Sequence, residues 1–537
     1  MSKSLVLTLG HNASAIAIQD GHILGGYEEE RFTSIKSDSA FPVNAIKRLE
    51  HYFGSHYDDV CVGHWFTAGS IFNNKYLDLD FVKGISNDVY SITDGLSHHD
   101  SHMLSTVAFG KHHGFPADHM VLVADGFGTF GECLSIYNRS ANGSSQLLSR
   151  LFGYGKSLGM LYQYATAYLG MKMHNHEYKM LGYEAHITEV LDTNEIINLV
   201  SIVAKDSEQR LKDFFNSPID RDTDPLVNKD ALAKAQHDIT NLLDSVLERL
   251  ELKDIDLYGK RVVIAYYVQN IVEAVIGAYV NLYKPTNLMV VGGLFYNVKL
   301  NHKLADMVDK FSVFPLAGDQ GAGLGVYQSV HRDLIWPGHL NWGHRDLSLV
   351  TEGDGIIKAT DELQAGGLAL DELDKNGMVN IVRGSMEFGP RSLCNTATIA
   401  KPTMAIVEKI NAMNDRTTVM PMAPAMTYEQ AEQRLMNIDK VVGSLEYMVV
   451  TRDVRSEFTD SMLGGSHFYR LSSRHTCRPQ IVSPDDVLMQ TLLQVNGPLI
   501  NTSFNYHGVP IAFDKDSIEY SHKMQNNVSK IKTIVVI

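Results

Sequence analysis

Leu5-Val6-Leu7-Thr8-Leu9-Gly10-His11-Asn12-Ala13-Ser14-Ala15-Ile16-Ala17-Ile18-Gln19-Asp20-Gly21 decides the fold class. Leu5–Leu9 is an apolar run, Gly10–Ser14 a turn of small residues, and Ala15–Ile18 is apolar again. Asp20-Gly21 closes a hairpin and Ile23–Tyr27 supplies the next strand. The same grammar returns twice. Met120–Tyr137 folds around Asp125-Gly126-Phe127-Gly128-Thr129, and Leu288–Val291 runs into Gly292-Gly293. One such turn is an ordinary hairpin. Three strands ending in small-residue turns, in this order, offer backbone N–H groups to a phosphate and point to a nucleotide site. Between them, Tyr266–Leu282 has the spacing of a buried helix and Asp230–Leu252 that of a more polar amphipathic one. The stretch His331–Gly355 loses periodicity and gathers turn formers, as a linker does. Val379–Val382 and the Gly389-Pro390 turn then open a second α/β pattern. The expectation is an α/β protein of two domains, 1–350 and 351–537.

The chain has 537 residues, 44% of them hydrophobic and 20% charged, which is globular composition with room for more than one core. A formal net charge of −15 argues against a partner that is polymeric nucleic acid. No uninterrupted apolar run approaches the roughly 18 residues of a membrane span, and Met-Ser-Lys leads straight into the first strand without a signal-peptide pattern. Cys61, Cys133, Cys394 and Cys477 are scattered, with no CxxC, so neither a disulfide framework nor a cysteine zinc site is expected. The expected location is cytoplasmic, with no membrane partner.

The chemistry concentrates in four places. In Ser97-His98-His99-Asp100-Ser101-His102, the spacing of His98 and His102 puts both imidazoles on one helix face, able to share a metal ion. A third ligand must come from elsewhere, and two carboxylates stand in glycine-rich turns, Asp125 and Asp319. An N/O donor set suits Fe(II), Zn or Mn better than Ca. Glu387-Phe388-Gly389-Pro390-Arg391-Ser392-Leu393 fixes Arg391 beside a Gly-Pro turn, an anchor for phosphate or carboxylate. Arg478-Pro479-Gln480 is a second candidate, and Asn501-Thr502-Ser503-Phe504-Asn505 a dense polar cluster after an apolar strand. Each motif alone also fits a solvated helix face, a turn or a cap.

Together, and in order, the motifs carry a resemblance. Gly10–Ser14 with Asp20-Gly21 resembles a "GHDAS…DG" pattern. Glu29-Glu30-Arg31, Lys36 and Phe41-Pro42 resemble "EER…K…FP", and His98–His102 resembles "HHLAH". Ser157–Tyr162, Lys179–Gly182, Gly292-Gly293…Asn297 and Gly318–Gly321 follow in place. Glu387–Leu393 resembles "EFGPRAL" and Asn501–Asn505 matches "NTSFN". These are the motifs of the NodU/CmcH-type O-carbamoyltransferase family, to which tobramycin carbamoyltransferase belongs, and the match runs along nearly the whole chain.

The resemblance implies an N-terminal domain similar to the actin/Hsp70/sugar-kinase fold and a C-terminal YrdC-like α/β domain. It implies that ATP (with Mg) and carbamoyl phosphate give carbamoyl-AMP and pyrophosphate in the second domain, and that a small-molecule hydroxyl acceptor takes the carbamoyl group in the first. On this resemblance the metal, Fe(II) or else Zn or Mn, belongs to His98, His102 and Asp319, with Asp125 either a fourth ligand or the base. Gly10, His11, Asn12, Gly126, Gly292, Gly293 and Asn297 would meet the adenylate. Arg391, Arg416, Arg478, Thr502, Ser503 and Asn505 would hold carbamoyl phosphate and the ATP phosphates. Lys36, a cation with no obvious helix partner, would act in catalysis, lining an enclosed passage for the labile adenylate. A homodimer is left open. Several positions depart from the pattern: Asn12 for an aspartate, Ser385 for an arginine, Asn395-Thr396-Ala397 for Asn-Arg-Ser, and Asn414 and Thr417 for a lysine and a glutamate around Arg416. Those departures keep an altered donor and an inactive nucleotide- or metal-binding regulator in play. A tRNA threonylcarbamoyl-transfer enzyme is the other alternative, set back by the acidic charge and the fused second domain.

Overall fold

The computed structural model describes residues 2–64, 79–92, 95–216, 229–416, 422–469 and 472–537. Contacts divide the chain into two units. The first holds Met1–Leu5, His11–Tyr57 and Ile335–Ile537, and the second Val6–Gly10 and Asp58–Leu334. This differs from a division at 350/351, and the reason is physical. Tyr27 and Phe32 pack against Phe513 with ring centroids 5.8 and 5.4 Å away, and Arg31 donates to the Gly389 carbonyl at 2.8 Å. The segment that carries "EER…K" therefore folds with the C-terminal residues.

In the second unit a five-stranded sheet runs in the order Lys310–Val313, Asn287–Val291, His119–Ala124, Glu132–Arg139, Ser145–Phe152. The first three strands are parallel and the last two antiparallel. Val121–Val123 and Leu288–Val291 are fully buried, which is why they read as unbroken apolar runs rather than alternating ones. His119–Ala124 delivers Asp125 at its end, and Asn287–Val291 delivers Gly292-Gly293 beside it. Gly292 has φ +106°, and a Cβ there would lie 2.2 Å from the Ala124 carbonyl oxygen, so the close approach requires glycine. Leu257–Tyr283 is the one helix among the described residues long and apolar enough to cross a membrane, and 83% of its apolar window is buried inside the protein.

The helix His98–His112 starts at a capping box. The Ser97 hydroxyl accepts from the Asp100 N–H, and the Asp100 carboxylate accepts from the Ser97 N–H. Across it packs the helix Ala322–Val330, which follows Asp319. At Gly325 a Cβ would stand 1.7 Å from the Ser101 carbonyl oxygen, so the two helices touch backbone to backbone. Gly325→Ala is expected to force them apart and to cost roughly 3 kcal/mol, read as a lowered urea midpoint. An unchanged midpoint would contradict this contact.

In the first unit the hairpin Ser14–Gln19/His22–Glu28 is antiparallel and ends on Glu28. The main sheet has seven strands, in the order Ile356–Ala359, Thr533–Val536, Met378–Val382, Thr396–Ala400, Leu499–Ser503, Ala423–Met426, Gln480–Ile481. Both units are thus α/β. One core packs the strand residues Val379, Ile381, Ile399, Leu499 and Ile534 against Ala369 and Leu373 of Glu362–Asn376 and Leu492 of Val487–Asn496. A further core holds Ile410 and Met413 of Met404–Met413. The four cysteines are free and buried.

Candidate functional site

Two clusters of functional side chains emerge, one in each unit. In the second unit His98, His102, Asp125 and Asp319 present one donor atom each, all within 4.8 Å of one another. The imidazole Nε2 atoms stand 3.0 Å apart. Asp125 Oδ2 lies 3.2 Å from His98 Nε2 and 3.4 Å from His102 Nε2, and Asp319 Oδ1 lies at 3.4 and 3.6 Å. Four donors arranged tetrahedrally at about 2.1 Å from one cation stand roughly 3.4 Å from each other, so the residues present fit a metal. His98 Nδ1 faces the His64 carbonyl oxygen at 3.0 Å, so it carries the proton and leaves Nε2 to face the cluster. Against burial, which lowers it, the carboxylates of Asp125 and Asp319 hold His98 well above its ordinary pKa. Burial opposes the fall of Asp125 in the same way, yet His102 and His98 hold it well below the usual carboxylate range. Asp125 Oδ1 accepts the N–H groups of Gly126 at 2.7 Å and Gly293 at 3.3 Å. One oxygen is thereby fixed by backbone while the other faces the imidazoles, an arrangement suited to a ligand.

The neighbours lock this geometry. The Glu132 carboxylate accepts the His99 N–H at 2.9 Å, and His99 Nδ1 lies 2.9 Å from the Ser135 hydroxyl. Burial, followed by the charge of His98, pushes His99 well below its ordinary pKa and keeps it neutral. His64, Glu132 and Ser135 carry no motif signal, because they meet the histidine helix only through the fold. The remaining residues expected to meet an adenylate are placed as follows. Gly292 and Gly293 adjoin Asp125. Asn297 caps the helix Val298–Asp306 by accepting from Leu300 N–H at 3.0 Å, and its amide N–H donates to Gln269 at 2.8 Å, so both ends of the amide are engaged. Gly10 belongs to the second unit, and His11 and Asn12 to the first. Gly10 has φ +102° and Asn12 φ +64°, so the turn carries two left-handed residues.

The other cluster lies wholly in the first unit. Arg416 donates to Thr502 Oγ1 at 3.3 Å and to Asn505 Oδ1 at 3.4 Å, and Ser503 Oγ donates to Asn505 Oδ1 at 2.6 Å. Burial, then the charge of Arg391, pushes Arg478 well below its ordinary pKa. Burial also lowers Lys36, with the charges of Arg416, Arg31 and Arg391 acting in the same direction and Glu30 against them. Lys36 nonetheless stays open to solvent. Neither Lys36 nor Arg478 makes a hydrogen bond or ion pair with a described residue. Cations crowded in this way are chemically suited to an anion.

The Glu387 carboxylate, given no role from sequence, organises the Arg391 loop. Its Oε1 accepts the N–H groups of Leu393, Asn395 and Thr396 at 2.7, 2.8 and 3.1 Å. Asn414, one of the departures, is fully buried and neutral: it donates to Ile410 O at 3.0 Å and accepts from Gln525 at 2.8 Å. It serves the core, and a lysine there would bury a charge among neutral partners. Ser385 offers its carbonyl to the Asn395 amide at 2.8 Å. Thr417 lies outside the described residues.

Comparison with known proteins converges on one class. The carbamoyltransferase N-terminus family model matches residues 66–327 and the carbamoyltransferase C-terminus model residues 370–536. The chain belongs to the carbamoyltransferase family, in its NodU/CmcH-type O-carbamoyltransferase branch. It is 28% identical to an uncharacterized protein of Methanocaldococcus jannaschii over 95% of this chain and 94% of that one. It is 25% identical to the nodulation protein NolNO of Sinorhizobium fredii, over 80% of this chain and 65% of the relative. A 3'-hydroxymethylcephem-O-carbamoyltransferase of Amycolatopsis lactamdurans is 28% identical over 26% of this chain and 28% of its own. Among solved structures, full-length HypF in its phosphate- and nucleotide-bound form aligns at 16% identity with a TM-score of 0.30, over 60% of this chain and 54% of HypF.

Proposed function

We propose that this carbamoyltransferase is ATP-dependent and works in two half-reactions, one at each cluster. The observation that carries the reading is the first unit's group of cations, Lys36, Arg391, Arg416 and Arg478, gathered beside Thr502, Ser503 and Asn505. Carbamoyl phosphate and the ATP phosphates bind there. Carbamoyl phosphate gives up its phosphate to water, and the carbamate that remains attacks the α-phosphorus of ATP. Carbamoyl-AMP forms and pyrophosphate leaves. Arg391 and Arg478 supply planar, fixed donors to the phosphate oxygens, and Lys36 supplies a mobile charge at the open side.

In the second half-reaction an acceptor hydroxyl attacks the carbamoyl carbon and AMP leaves. His98, His102, Asp125 and Asp319 would hold a cation, Fe(II), Zn or Mn, which when bound supplies Lewis acidity. The protein's own part is to hold the four donors rigid through His64, Gly126, Gly293 and the capped helix. The acceptor is a small hydroxyl compound, such as an antibiotic, a sugar or a hydroxymethylated nucleotide. The test incubates the protein with ATP and labelled carbamoyl phosphate across a panel of hydroxyl compounds. Label transfer with matched pyrophosphate release is expected. A well-folded protein that releases no pyrophosphate favours the inactive regulator instead.

A further inference from the structure

Glu28 and Arg31 are almost wholly buried, 3% and 7% exposed, and the transfer chemistry does not call on them. Arg31 Nη2 donates to Glu28 Oε2 at 2.6 Å and to the Gly389 carbonyl oxygen at 2.8 Å, and the Gly389 N–H donates to Glu28 Oε2 at 3.2 Å. The ion pair thus takes up both backbone polar groups of one glycine, which has φ +99° and stands two residues before Arg391. Two residues after Arg391, the Leu393 N–H is held by Glu387. Arg391 is therefore the middle of a short loop clamped on both sides by carboxylates. Arg31 Nη1 also lies 2.9 Å from Glu30 Oε1, and Glu30 Oε2 accepts the N–H of Ser37, the neighbour of Lys36, at 2.7 Å.

We propose that Glu28 and Arg31 are a positioning pair for the anion site, setting the Gly389-Pro390-Arg391 turn. This inference rests on the anion-site reading above. A buried ion pair is a poor device for stability, because desolvating both charges cancels much of their attraction. It is a good device for direction, since a guanidinium and a carboxylate fix a backbone turn at defined angles where apolar packing allows sliding. The pair's bonds to Gly389 run to the segment that delivers Arg391 to the site. Burial pushes the Glu28 carboxyl up, and Arg31 and the Gly389 N–H pull against it.

The experiment measures binding of inorganic phosphate to the full chain by calorimetry, with the thermal midpoint as a check on folding. Arg31→Ala and Arg391→Ala are each expected to weaken binding about tenfold, and the double variant to bind no more weakly than Arg391→Ala alone. A residue that acts through Arg391 has nothing left to position once Arg391 is gone, whereas general loosening adds to any other loss. Arg31→Lys, which cannot reach Glu28 and Gly389 together through a planar fork, is expected to restore less than half of the loss. Glu28→Gln keeps the side chain's shape and serves if Arg31→Ala does not fold; it too is expected to weaken phosphate binding and to add nothing to Arg391→Ala. Additive losses, or unchanged binding in folded Arg31→Ala, would overturn the proposal while leaving the anion site intact. Binding unaffected by Arg391→Ala would overturn the anion-site reading and the positioning role with it.

Discussion

Replacing His102 with alanine is expected to strip the protein of its metal and abolish carbamoyl transfer, while ATP- and carbamoyl-phosphate-dependent pyrophosphate release continues. The effect should be near complete, because the site is small and closed. Its four donors lie within 4.8 Å of each other, with both imidazoles fully buried. Removing one imidazole leaves Asp125 and Asp319 facing a single His98 in a space that water must then fill. Loss of supporting groups around such sites already costs roughly 10- to 100-fold in affinity, and loss of a ligand costs more. Pyrophosphate release should survive because each residue assigned to it lies in the other unit. The primary measurement is metal content of the purified protein, which needs no assumption about acceptor. Unchanged metal content in His102→Ala would remove the assignment. Transfer from supplied carbamoyl-AMP is the second measurement.

Local spacing made much of this site legible in the sequence. The His98/His102 pair reads directly from helical periodicity, and Asp125 and Asp319 read as carboxylates raised on glycine turns; both sit opposite the imidazoles. The strand–turn–strand around Asp125 is equally local, and the pairs His119–Ala124 and Glu132–Arg139 realise it. The contacts that were not legible join residues hundreds of positions apart. Glu28 and Gly389 are separated by 361 positions, and nothing in either segment alone announces the other. Hence the segment His11–Tyr57 reads as part of the N-terminal domain, and its aromatic and ionic contacts place it with the C-terminal residues. Hence, too, Lys36 reads as an isolated cation, although Arg416 and Arg391 approach it in the first unit. Glu387 stands in a quoted motif but receives no role from sequence, for a different reason. Its partners are backbone N–H groups, which leave no mark on the identity of Leu393, Asn395 or Thr396.

Arg391→Ala should show the converse of His102→Ala. Pyrophosphate release from ATP plus carbamoyl phosphate is expected to fall at least about 100-fold, the scale on which fixed charged donors act on a developing phosphoryl charge. Ser503→Ala should fall less, about tenfold, since Ser503 reaches the site beside Asn505 and Arg416 rather than as a full charge. Arg391 sits on a loop anchored by Glu387 and by the Glu28–Arg31 pair, so the truncated side chain leaves the backbone scaffold in place. Its removal also relieves Arg478 of a neighbouring like charge, so Arg478 should regain part of its ordinary basicity. That gain cannot replace the lost Arg391 donors, because Arg478 keeps its own position. The discriminating measurement supplies carbamoyl-AMP directly to each variant together with an acceptor. Transfer should proceed at the wild-type rate, because His98, His102, Asp125 and Asp319 are untouched. If Arg391→Ala lost both half-reactions equally while keeping its thermal midpoint, the two clusters would form one indivisible site and the assignment of adenylation to the first unit would be wrong.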